Sequence, residues 1–109
     1  MPNVYTNAKK DLTSNGATVL YTAPALTTSI IKSILVSEDS GNADTITITI
    51  TDAESSPAVF SLFKTKSISA NGTAELITAP LVVKTGEILK VTAATANRLH
   101  VVASILEVS

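Results

Sequence analysis

A chain of 109 residues with a net charge of −1 and no cysteine is sized for one domain. Its bases are scattered from Lys9 to Arg98 with only Lys9 and Lys10 adjacent, so no basic stripe exists to neutralise phosphates and no nucleic-acid partner is expected. The missing cysteines exclude disulfides, thiolate metal sites and thiol catalysis, and no apolar run approaches the ~20 residues of a membrane helix.

The hydrophobic fraction is 45%, only 4% is aromatic, and charged residues make up 16%. Sixteen Thr and twelve Ser take the place of much of the usual surface charge. Thr is β-branched and suits a pleated, half-buried surface, so the composition leans towards β-structure.

Residues Met1–Asn15 are polar and lack the apolar stretch of a secretion signal. They read as an arm, with Val4 and Tyr5 able to anchor it as a short edge strand, and residues 16–109 read as a single sandwich domain. After the Asn15-Gly16 turn, Ala17–Thr22 forms a strand that Pro24 interrupts. Ile30–Glu38 is apolar on both faces through Ile30, Ile31, Ile34, Leu35 and Val36, which predicts a strand covered on both sides or lying at a subunit contact. Residues 39–44 form a turn by composition. In Thr45–Thr51 three Ile alternate with four Thr at strict period two, which sends every Ile to the core and every Thr away from it.

A loop follows at Asp52–Ser56, with Pro57 at its end. Ala58–Lys64 reads as a strand with Ala58, Phe60 and Leu62 on the inner face. Lys66–Ala70 and Thr73–Thr78 flank Asn71-Gly72, a pair suited to a two-residue hairpin. Short strands at Leu81–Lys84, Glu87–Ala93 and Leu99–Val108 complete the chain. Eight to nine short strands at this spacing predict an all-β fold: a two-sheet antiparallel sandwich of jelly-roll or Greek-key type. Leu20-Tyr-Thr-Ala-Pro24 is echoed by Leu76-Ile-Thr-Ala-Pro80, as strand-to-turn chemistry or as a trace of two related halves.

No nucleophile elbow, phosphate-binding glycine loop or His-Glu-x-x-His motif occurs, and His100 is the only histidine. No enzyme, cofactor or metal is expected. Glu38, Asp39, Asp44, Asp52 and Glu54 form an acidic segment without calcium-loop spacing. Lys64, Lys66, Lys84, Lys90 and Arg98 form a basic one, and such polarity suits contacts between copies. The expected contact residues are Val4, Tyr5, Ile31, Leu35, Glu38, Asp39, Lys64 and Lys66. A glycan-binding sandwich is the rival role, weakened by the absence of Trp and by Phe60 reading as core.

Val19-Leu-Tyr-Thr-Ala-Pro24, the run Thr28–Val36, the segment Ser69–Leu81 and the ending Asn97–Glu107 resemble a pattern in small tailed-phage virion proteins. The resemblance spans Ala17–Val108 and carries no catalytic residues. It implies a capsid decoration (cement) protein or a small tail, fibre or adaptor component, made in the host cytoplasm and located in the virion. The implied partners are further copies of the chain, as a trimer, and a major capsid protein or other virion protein.

Overall fold

The computed structural model describes residues 3–53, 58–77 and 79–108. Nine strands are present: β1 (Asn3–Asp11), β2 (Thr18–Thr22), β3 (Thr28–Glu38), β4 (Asp44–Thr51), β5 (Val59–Ile68), β6 (Thr73–Ile77), β7 (Leu81–Val83), β8 (Ile88–Ala93) and β9 (Leu99–Val108). They form two antiparallel sheets packed face to face, as predicted. The five-stranded sheet runs β1-β9-β3-β6, with β7 also pairing β3, and the four-stranded sheet runs β2-β8-β4-β5.

The antiparallel pairs are nested. β4 pairs β5, β3 pairs β6 and β7, β2 pairs β8, and β1 pairs β9. This is one long hairpin rolled over on itself, the jelly-roll arrangement. Only β4–β5 and β6–β7 connect within a sheet; every other connection crosses the sandwich. The echoed segments close the second strand of each half, at β2 and β6, although Thr78 lies outside the described residues.

The core between the sheets is aliphatic. Ile46 and Ile48 of β4 meet Leu89, Val91 and Ala93 of β8 on one side, with Ile31, Ile34, Val36, Val101, Ala103 and Ile105 supplied by the facing sheet. The Ile/Thr alternation of β4 holds in register with β8, while two shifts interrupt the pairing with β5 and Ile50 is only half-buried. Thr51 is nonetheless covered at the strand end, and its Oγ1 has no hydrogen-bond partner among the described residues.

Three expectations change. Residues 3–11 are not a loose arm: they form a nine-residue edge strand paired along its whole length with β9. Its inner positions are Val4, Thr6, Ala8 and Lys10, of which only Ala8 is half-buried, so it joins the sheet through backbone pairing more than apolar burial, and Lys at a sheet edge discourages stray pairing. Phe60 is not core but 55% exposed on the edge strand β5. The Asn71-Gly72 turn forms, but it joins strands of different sheets. Its positive φ falls on Asn71 alone (55°), and Gly72 N–H closes the turn onto Ser69 O at 2.9 Å. A Cβ at Gly72 would stand 2.3 Å from Ser69 Oγ, which that exposed side chain relieves by rotating, and 3.1 Å from the Ser69 carbonyl oxygen, which must give by a few tenths of an ångström. The Asp52–Pro57 loop and Glu54 fall mainly outside the described residues, as does the start of the predicted arm.

Candidate functional site on the outer face of the five-stranded sheet

The expected contact residues separate into two groups. Ile31 and Glu38 are buried, at 0% and 3% exposure, and offer no surface to a partner. Val4, Tyr5, Leu35, Asp39, Lys64 and Lys66 are exposed. Tyr5 and Leu35 share the outer face of the five-stranded sheet, whereas Lys64 and Lys66 sit on β5 at the far edge of the other sheet.

Glu38 is a fastener. Its Oε1 accepts the N–H groups of Gly41 (3.0 Å) and Asn71 (2.9 Å), and its Oε2 accepts the Ser40 N–H (2.7 Å) and the Ser40 hydroxyl. One side chain thereby ties the β3–β4 crossover to the β5–β6 crossover. Burial works to raise its pKa, but the hydrogen bonds from Asn71, Ser40 and Gly41 outweigh it and hold the carboxyl down at about 2. Asp44 is also buried and accepts the Thr95 N–H at 3.0 Å, and Asp52 accepts the Ala58 N–H at 3.0 Å. The acidic segment thus spends three of its carboxylates on loop backbone. Among the described residues, no group of three or more metal-ligating side chains converges.

A second tie joins the sheets. Tyr21 Oη on β2 donates to the Glu107 carboxylate on β9 and lies 2.6 Å from Ser29 Oγ on β3. Burial, followed by the Glu107 carboxylate, pushes the phenol up to about 12. Nothing in the sequence pattern pairs these three residues; the link emerges from sheet stacking.

His100 lies on the outer face between two carboxylates, with Asp11 Oδ1 at 3.2 Å from Nε2 and Asp39 Oδ2 at 3.9 Å from Nδ1. Asp11 arrives there through the β1–β9 pairing, which the reading of residues 1–15 as an arm could not supply. Asp11 lies within hydrogen-bond reach of Nε2, and Asp39 stands farther off beside Nδ1.

Register defines what the outer face carries, because residues directly opposite on neighbouring strands point the same way. One row across β1, β9, β3 and β7 is Tyr5, Leu106, Ile30 and Val82, apolar throughout. A second across β1, β9, β3 and β6 is Lys9, Val102, Leu35 and Glu75, apolar in the middle with opposite charges at its ends. Tyr5 is 77% exposed, Val82 53%, Val102 39% and Leu35 38%, so four of the large apolar side chains open to solvent lie here. Between the rows, Lys32 is the extra residue of a bulge in β3, and a hollow of about 370 Å³ opens beside Tyr5, Asn7, Lys32 and Ser104.

That bulge explains the doubly apolar run. It lets Ile31 and Ile34, three residues apart, both face the core while Ile30 and Leu35 face out.

The outer face of the four-stranded sheet differs. Its centre is Thr45, Thr47 and Thr49 flanked by Thr92, Ser61 and Ser67, a surface of hydroxyls. A larger hollow of about 520 Å³ lies at the end of the sandwich. Its two charged groups already have protein partners: Arg98 donates to Ala43 O at 3.0 Å and Asp44 accepts from Thr95. Among the described residues the outer face of the five-stranded sheet therefore gathers four exposed large apolar side chains in two adjoining rows, and such contiguous area on a small domain marks a contact site.

No protein-family model matches the chain, and no curated protein matches it in sequence.

Proposed function

We propose that this chain is a non-enzymatic structural protein of a tailed-phage particle, a head decoration (cement) protein working through contacts with its own copies and with a major capsid protein. The observation that carries the reading is the exposed apolar face of the five-stranded sheet, displayed on a jelly roll whose other face is centred on hydroxyls. Viral capsid domains share this architecture, an analogy of fold that adds to the resemblance in sequence without assigning chemistry. The test is co-sedimentation of the purified protein with decoration-free heads. Stoichiometric, saturable binding supports the role, and no binding across the concentration range overturns it. A tail, fibre or adaptor subunit is the neighbouring reading, separated by low copy number and a tail location.

One observation favours a glycan-binding module as a second reading. Phe60 and Tyr5 are both exposed, which supplies two rings on which a sugar could stack. A glycan array that gives hits abolished by Tyr5→Ala or Phe60→Ala would carry that reading, and an array without hits removes it.

A further inference from the structure

We infer that the outer face of the five-stranded sheet is a two-fold interface, occupied by the same face of a second copy of this chain. The inference rests on the structural role above only for the expectation that copies meet. The argument comes from the order of residues along each row.

A two-fold axis lying in the interface and parallel to the strands keeps each row at its own level and reverses it from left to right. Each row then faces its own mirror order, the condition for an isologous contact. In the apolar row, Tyr5 falls over the partner's Val82 and Leu106 over the partner's Ile30, so apolar groups meet only apolar groups. In the charged row, Lys9 falls over the partner's Glu75, Glu75 over the partner's Lys9, and Val102 over the partner's Leu35. One operation thus matches the two apolar rows and neutralises the charged ends twice over; it also sets Lys32, between the rows, over the partner's Ser104, and Asp11 and His100, beyond the charged row, over the partner's Thr73 and Ser37.

The other in-plane axis, perpendicular to the strands, exchanges the two rows instead. It sets the Glu75 carboxylate over the partner's Val82, a desolvated charge without a partner. Charge order therefore selects the axis along the strands, and the strands of the two copies align as in ordinary sheet-on-sheet packing.

The face is large enough. Four strands at about 4.8 Å spacing and some ten residues at about 3.3 Å cover roughly 600 Å² in projection, and side-chain relief raises that towards the ~800 Å² a standard interface buries per partner. Two-fold symmetry makes the assembly a dimer, in place of the trimer the resemblance implies. The hydroxyl face of the four-stranded sheet and the loop ends stay free for the particle.

A charge-swap cycle tests this by sedimentation equilibrium over a concentration series. The wild-type chain is expected at twice its 11.3 kDa mass. Lys9→Glu alone and Glu75→Lys alone each set like charges against each other at two symmetric positions, and each should weaken the dimer about tenfold or more. The double variant restores both pairs in reversed sense and should return to within about threefold of wild type. Both positions are exposed, and circular dichroism checks that each variant folds. Thr47→Asp on the opposite sheet should leave the dimer unchanged.

A trimeric mass, a monomer at all concentrations, or single swaps without effect overturns the inference, as does a double variant no tighter than the singles. A wild-type monomer that still coats decoration-free heads removes the dimer and leaves the structural role. A dimer that obeys the cycle but never binds heads removes the role and leaves the dimer.

Discussion

Truncating Ile48 to alanine tests whether the Ile/Thr alternation of β4 is the wall of the core. Ile48 is fully buried, flanked in register by Phe63 on β5 and Val91 on β8. Ile48→Ala removes three carbons from an aliphatic site, worth about 2.4 kcal/mol at ~0.8 kcal/mol per buried methylene. The unfilled remainder of the cavity adds about 1 kcal/mol, giving roughly 3–4 kcal/mol in all. With a urea m-value of about 1–1.5 kcal/mol/M, the midpoint should fall by about 2–4 M at unchanged m. Ile48→Val should cost only about 1 kcal/mol and covers the case in which the alanine variant is too unstable to study. The neighbour Thr47 faces outward, where its Oγ1 accepts the Thr65 N–H at 3.0 Å. Thr47→Ala should cost about 0.5–1 kcal/mol, because water can replace the lost acceptor. Equal losses at the two positions would refute the facing of β4 and, with it, the placement of the core.

Three further outcomes follow from the fasteners and turns. Glu38 titrates at about 2 when folded and near its ordinary value of 4.5 when unfolded, so its contribution is complete above pH ~4.5 and disappears as the pH falls towards 2. The stability gap between wild type and Glu38→Gln, measured by urea midpoints across that window, should be widest at pH 6 and narrow steadily on acidification; a gap independent of pH would contradict the network. The Tyr21 phenol, raised from 10.0 to about 12, should ionise about two pH units later in the folded protein than in urea, and Tyr21→Phe should remove that late tyrosinate absorbance step. Gly72→Ala should lower the melting temperature modestly and more than Gly16→Ala, since a Cβ at Gly72 crowds the Ser69 carbonyl oxygen at 3.1 Å and one at Gly16 meets nothing closer than 3.8 Å.

Much of the fold is legible in the sequence where local pattern and final burial agree. β9 and β4 as far as Thr49 are clear cases: period two in apolar residues becomes period two in burial, until Ile50 is half-buried and Thr51 covered at the end of β4. β1 is not legible, because an edge strand can be held by backbone hydrogen bonds to β9 while its own side chains stay polar. Asn71-Gly72 signals a turn, but a local signal cannot say whether the next strand returns to the same sheet or crosses to the other. The candidate face is half legible. The run Ile30–Val36 announces apolar groups on both faces, yet assigning Ile31 to the core and Leu35 to the surface requires the bulge at Lys32. Glu38 reads as surface charge because its partners are backbone N–H groups of two separate loops, which no sequence pattern displays. The rows that define the interface need all of β1, β9, β3, β6 and β7 in register, so they appear only in three dimensions.

The central claim, that this sandwich serves as a structural component of a phage head, is tested most directly by counting and locating it in purified particles. Quantitative mass spectrometry of whole virions combined with imaging of the head should find many ordered copies on the outer shell. Absence from the particle, or a few copies confined to the tail, would contradict it.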